Sequence, residues 1–164
     1  AEKRVLDAIV PLAHRYNAAL VALAMDETGI PKTVEKRLAA CRRIAESCDS
    51  QGVPLERVYF DSLVIPVSTD GRQGLITLET LAAVKTAFPG AKTVLGLSNV
   101  SYGLPARSVL NAAFLHMALY AGLDAAIMDP LNSTLMTAVR CGEALVGKDR
   151  HFRRYTRAYR RKAT

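Results

Sequence analysis

Apolar positions along this 164-residue chain recur in two alternating rhythms. Over residues 2–16, Val5, Leu6, Ile9, Leu12 and Ala13 fall at helical spacing, and residues 18–25 then run apolar for the length of a strand. Gly29-Ile30-Pro31 ends that run. Thr33 is placed to cap a second helix, with Glu35 in its first turn and Val34, Leu38, Cys41, Ala45 and Cys48 along one face, until Ser50-Gln51-Gly52 stops it. Residues 58–65 read as a second apolar strand, 77–88 as a short amphipathic helix and 92–97 as a third strand. Leu110, Phe114, Met117 and Ala121 mark the next helix face, 124–128 the fourth strand, and Leu135, Val139 and Val146 the closing helix. The predicted order is αβαβαβαβα.

Strict alternation of helices with strands that are apolar throughout implies an α/β protein with a parallel sheet, its strands joined by right-handed crossovers. A doubly wound sheet and a barrel both satisfy that pattern. No GxGxxG or P-loop follows any strand, which weighs against the nucleotide-binding doubly wound form. A complete (β/α)8 barrel takes about 250 residues, so four β/α units amount to half of one.

A chain of this length, 50% hydrophobic, can bury one ordinary core. Residues 1–147 are expected to form it, with 148–164 as a basic, helical extension. No stretch approaches the roughly 18 consecutive apolar residues of a membrane span, and no basic segment followed by an apolar run opens the sequence, so a soluble cytoplasmic protein without membrane contact is expected. Three cysteines make no disulfide framework. Cys41 and Cys48 sit about 10 Å apart along one helix face and read as reduced core residues. No CxxC or His/Cys spacing points to a metal site, and His14 and His116 fall inside helices as structural residues.

The net charge of +7 resides wholly in the extension, where Lys148, Arg150, Arg153, Arg154, Arg157, Arg160, Arg161 and Lys162 face Asp149 alone. Phe152, Tyr155 and Tyr159 are interleaved there. An RNA-binding arm or a patch for an acidic partner fits that composition, but a terminal helix with its aromatic face packed and its basic face solvated is preferred.

Two places carry candidate chemistry. Asp61 interrupts an apolar strand, where an unpaired carboxylate would be costly to bury. It needs a donor: neighbouring backbone amides, an arginine such as Arg57, or a ligand. The second place is Gly96-Leu97-Ser98-Asn99-Val100-Ser101-Tyr102-Gly103, which sets amide and hydroxyl groups at the end of a strand, the edge where parallel α/β proteins bind ligands. An asparagine there also suits a turn or a helix cap.

Four segments in order, Ala22 to Lys32, Asp61 to Val67, the Gly96 segment continued through Arg107 to Asn111, and Gly122 to Asp129, resemble the pterin-binding methyltransferases that pass a methyl group between methyltetrahydrofolate and a corrinoid protein. The resemblance implies the C-terminal half of a (β/α)8 TIM barrel with the pterin at the C-terminal strand ends. It makes Asn99 the catalytic residue, hydrogen-bonded near N5 of the folate, and Asp61 the acceptor for the pterin's 2-amino group and ring N–H. Gly96, Ser98, Arg107, Asp26 and Asp129 follow as further pocket residues. Tyr102 stands where some members have glutamine. No cobalamin-ligating Asp-x-His-x-x-Gly motif occurs, so the corrinoid is expected on a partner protein. Four parallel strands cannot close a barrel, so a missing N-terminal half or a second copy is expected to complete it. Two alternatives remain open: a non-catalytic half-barrel that binds a pterin or a partner, and a dihydropteroate-synthase-like enzyme, for which no basic pyrophosphate site is evident outside the tail.

Overall fold

The structure, a computed structural model, describes residues 3–160. Helices and strands alternate as α1 (Lys3–Arg15), β1 (Leu20–Leu23), α2 (Val34–Ser50), β2 (Val58–Asp61), α3 (Gln73–Ala87), β3 (Lys92–Gly96), α4 (Arg107–Tyr120), β4 (Ala125–Ile127) and α5 (Ser133–Leu145), followed by α6 (Arg153–Arg160). The strands form one parallel sheet in the order β1-β2-β3-β4. That order runs straight through without reversing, whereas a doubly wound sheet turns back at a switch point.

The covering of the sheet decides the same question. Leu20 and Ala22 of β1 and Val58 and Phe60 of β2 pack against Val10, Cys41, Ile44, Cys48 and Val84 from the first three helices. Leu95 packs with Leu81, Phe114, Leu115, Ala118 and Leu135 from the last three large ones. The alternate residues point to the other side, where Val21, Leu23 and Ile127 are 60%, 43% and 62% exposed. Helices lie on one face only, and the bare face is the inner wall of a barrel. The four units thus form an α/β half-barrel.

Local chemistry shortens the elements expected from hydropathy. Residues 58–65 read as one strand, yet β2 stops at Asp61 because its carboxylate accepts the Leu63 N–H at 2.8 Å and Leu63 turns the chain with a φ of 60°. Thr33 caps α2 as expected, its Oγ1 accepting from the Lys36 amide at 3.4 Å. The third helix starts at Gln73, ahead of residue 77, because its first buried positions are Gln73 and Thr77, polar residues that hydropathy does not mark. Met117 proves 55% exposed, and Phe114, Leu115, Ala118 and Leu119 are the buried face of α4. Cys41 and Cys48 are free and buried, and burial pushes the Cys41 thiol up to about 12.

Within the tail Arg153–Arg160 form helix α6, but the aromatic side chains are not packed into the core: Phe152 and Tyr155 are 56% and 38% exposed, and the Tyr155 and Tyr159 rings meet each other at 4.7 Å. Polar contacts dock it instead. Asp149 accepts from the Arg154 and Tyr155 amides, Arg154 pairs with Glu143 at 2.9 Å, and Lys148 donates to the Leu123 carbonyl at 2.6 Å. Arg161 and Lys162 of the basic run lie outside the described residues.

If the helix-side layer is the core, Leu95→Ala should destabilise the chain by about 2–5 kcal/mol, while Val21→Ala on the bare face should change it by less than about 0.5 kcal/mol. Urea denaturation of the two variants measures this, and comparable losses would refute the one-sided core.

Candidate functional site at the C-terminal strand ends

At the last turn of the sheet, β1, β2 and β3 bring Leu23, Asp61 and Val94 into register, so a carboxylate sits between two apolar neighbours on the inner face. Asp61 is 9% exposed. Its Oδ1 accepts the Leu63 amide, and its Oδ2 has no hydrogen-bond partner among the described residues. Burial raises this carboxyl above its ordinary value, opposed by the Leu63 amide and by Arg37. Of the donors open to Asp61 in the sequence, a backbone amide is the one in contact, and the arginine that acts on it is Arg37, not Arg57.

Arg37 was invisible as a functional residue in the sequence, although the signal was there: with Cys41, Ile44 and Cys48 it continues the buried stripe of α2. The side chain is 0% exposed. Nε donates to Pro31 O at 2.9 Å, Nη1 to Ser62 O at 2.7 Å and Leu63 O at 2.9 Å, and the fork also reaches Thr77 Oγ1 at 3.4 Å and Gln73 Oε1 at 3.3 Å. One cation therefore ties the loops after β1 and β2 to the start of α3.

Beyond β3 the chain enters a 3-10 turn, Leu97–Ser101, in which Leu97 and Val100 are buried and Ser98 and Asn99 are exposed. Gly96, two residues past Val94 on the inner face, lies so close to Asn99 that a Cβ there would stand 3.2 Å from Nδ2. The Asn99 side chain neither caps α4 nor sits in a left-handed conformation, and its amide makes no hydrogen bond among the described residues. Arg107 braces this turn: Nη2 donates to Ser98 O at 2.8 Å and Nε to Ser101 Oγ at 3.0 Å, with the guanidinium 6.0 Å from the Tyr102 ring. Ser68 Oγ donates to Tyr102 O at 2.7 Å from the facing loop.

Asp61, Gly96, Ser98, Asn99 and Arg107 thus lie on adjoining ends of β2 and β3. Asp26 and Asp129 are held in turns of their own. Asp26 Oδ1 accepts from the Thr28 amide and hydroxyl, which hold its carboxyl below the ordinary value, and Arg43 lies 3.8 Å from Oδ2. Asp129 accepts the Leu131 amide at 2.9 Å, while Asn132 caps α5. Among these residues only Asp26 also lines the apolar groove between α1 and the β1 edge, with Val5, Ile9, Val21 and Leu23.

A family profile described as pterin binding enzyme matches residues 3–129, which takes in all four strands and every one of these positions. The chain belongs to the pterin-binding enzymes. It is 32% identical over 157 residues to the methylcorrinoid:tetrahydrofolate methyltransferase of Eubacterium limosum, covering 94% of this chain and 58% of that protein. It is 38% and 37% identical over 124 residues to the methionine synthases of Mycobacterium leprae (strain TN) and Mycobacterium tuberculosis (strain ATCC 25618 / H37Rv), covering 71% of this chain and 10% of each. The chain therefore spans little more than half the length of the first of these relatives and a small part of the others. Among the described residues no helix is long and apolar enough to cross a membrane.

Gly96 has a φ of −75°, which any residue adopts, so Gly96→Ala should fold while its new methyl group displaces the Asn99 amide. Stability is expected to stay within about 1 kcal/mol, with shifted Asn99 side-chain amide resonances. Unmoved resonances would show that the two residues do not touch.

Proposed function

We propose that this chain is the C-terminal, pterin-holding part of a methyltransferase that moves a methyl group between N5 of methyltetrahydrofolate and a corrinoid carried by a partner protein. The observation that carries the reading is a pair of unfilled groups flanking a bare backbone: Asp61 Oδ2 and the Asn99 amide, on either side of Gly96.

A pterin fits this set. Its 2-amino group and adjacent ring N–H are parallel donors that match the two oxygens of a carboxylate, and Asp61 offers one oxygen free and the other engaged once. Gly96 leaves room for a flat ring, and the exposed Ser98 hydroxyl can bond its edge. Asn99 then serves N5. As the methyl carbon leaves, the electron pair of the breaking C–N bond stays on N5, where a hydrogen bond stabilises it, and a neutral amide can donate or accept as that nitrogen changes protonation. Arg107, by holding the Ser98 carbonyl and Ser101 hydroxyl, keeps Asn99 at a fixed height above the strand ends. The corrinoid, when docked, supplies the methyl-exchanging metal centre; Asp26 and Asp129 are assigned to the rim that meets the ligand or the partner. The open β1 and β4 edges and the apolar groove beside β1 are read as the seams for the rest of the barrel, whether supplied by an N-terminal half or by another copy. The names of the relatives support the chemistry, and the geometry supports these roles for the residues.

Asn99→Ala should slow methyl transfer by roughly 10²-fold while changing folate affinity little, because its hydrogen bond matters most as N5 becomes a leaving group. Single-turnover transfer with the barrel completed tests this, and an unchanged rate would remove Asn99 from catalysis.

Asp61→Asn should instead weaken methyltetrahydrofolate binding, since one acceptor oxygen becomes a donor facing the pterin's own donors. In the wild type, affinity should fall on acidification through the raised Asp61 pKa, because the protonated acid no longer offers two acceptors. Calorimetric titration across the acidic range should find that dependence absent from the Asn variant; equal binding by both proteins would make Asp61 structural.

A further inference from the structure

We propose that Arg37 is a positioning residue for pterin recognition, acting on Asp61 through the peptide group that joins Ser62 to Leu63. The proposal rests on the reading of Asp61 as the pterin's acceptor. That one amide is held at both ends: its carbonyl, Ser62 O, accepts from Arg37 Nη1 at 2.7 Å, and its N–H, on Leu63, donates to Asp61 Oδ1 at 2.8 Å. The peptide dipole therefore lies between a buried cation and a buried anion with its oxygen toward the cation and its hydrogen toward the anion. Each bond polarises the group in the sense that strengthens the other.

The backbone is bent to make this arrangement. Leu63 has a φ of 60°, a left-handed conformation that a bulky residue rarely adopts, and Arg37 Nη1 holds both carbonyls flanking that turn, Ser62 O and Leu63 O. Without the guanidinium, nothing else among the described residues gathers those two oxygens; Thr77 Oγ1 reaches Leu63 O only at 3.5 Å. The turn in turn fixes the carboxylate rotamer, engaging Oδ1 and leaving Oδ2 for a ligand. Among the described residues Arg37 makes no ion pair of its own, and its five acceptors there are all neutral. The register neighbours of Asp61 on β1 and β3 are the uncharged Leu23 and Val94, so the charge that faces the carboxylate comes from α2. Burial, which raises the Asp61 carboxyl, is thereby countered by a cation placed behind the ligand side, where it does not compete with the pterin's donors.

Carboxyl-carbon NMR titration of Asp61 in the wild type, Arg37→Gln and Arg37→Lys, paired with methyltetrahydrofolate titrations over the same pH range, tests the proposal. Arg37→Gln should bind the Asp61 proton more tightly than the wild type and shift the acid limb of folate affinity to higher pH by the same amount, and Arg37→Lys should restore most of that shift because the charge returns. A folded Arg37→Gln protein with an unmoved Asp61 titration would overturn the proposal. Should the variants fail to fold, the wild type suffices: the Leu63 amide proton and the buried Arg37 Nη protons are expected to titrate together with Asp61, and guanidinium signals indifferent to that titration would be equally fatal. If the carboxylate responds as expected but no form of the protein binds methyltetrahydrofolate with the barrel completed, the pterin reading fails, and the recognition role of Arg37 with it.

Discussion

A guanidinium sealed away from water persists only if its donors are met, and in this fold meeting them fixes much of the site's frame. Arg37 has no exposed surface, and its acceptors come from the loop after β1, the loop after β2 and the first turns of α3. Removing the cation would strand the Pro31 and Ser62 carbonyls in the interior, at a cost of about 1–3 kcal/mol each, and leave Leu63 O with only the long contact to Thr77. Asp61 acts on that charge through space without touching it, and burial holds its carboxyl above the ordinary value. The sign of that shift has a thermodynamic meaning: the folded chain binds this proton more tightly than the unfolded one, so the ionised carboxylate weakens the fold at neutral pH and acidification through the raised pKa relieves it. A carboxylate buried against stability is for that reason a candidate for a group that meets a ligand.

The second constraint is the uneven cover of the sheet. Each strand sends one set of side chains into the helices and the other to the inner face, which is exposed at Val21, Leu23 and Ile127 of the two outer strands, while Asp61 and Val94 of the central strands are buried. Helix α1 shows the same asymmetry. Val10 and Ala13 are buried, while Val5 and Ile9, which line the groove beside β1, stay 50% and 44% exposed. Asp61 and Gly96 lie on the inner face of the sheet at the C-terminal ends of β2 and β3, so the site takes its position from this geometry.

The order of elements, the parallel sheet and the position of Asp61, Gly96 and Asn99 at strand ends were legible in the sequence because they rest on periodicity and on polar residues placed where apolar ones end. The rhythm alone did not choose between barrel and doubly wound sheet, since both share it and differ in strand order; the ordered motifs chose the half-barrel, and the straight strand order agrees. Arg37 escaped because an arginine on a helix ordinarily reads as solvated, and only its spacing from Cys41 and Ile44 betrays burial. The start of α3 escaped for a related reason: Gln73 and Thr77 are buried as partners of that arginine, so the helix hides its core face behind polar residues. The tail misled in the opposite direction, its aromatic residues suggesting packing where Asp149 and Glu143 do the docking.

The straight strand order also sets how such a chain can acquire its structure. Each strand pairs only with the next one along the sequence, and the three closures, Leu20 with Val58, Tyr59 with Lys92 and Val94 with Ala125, each span roughly 30–40 residues. No pairing waits on a distant segment, so loop-closure entropy is met in similar instalments from one end to the other. A ribosome releasing this polypeptide would let β1 and β2 meet before β4 is made, so the sheet can grow strand by strand in the order in which the chain emerges.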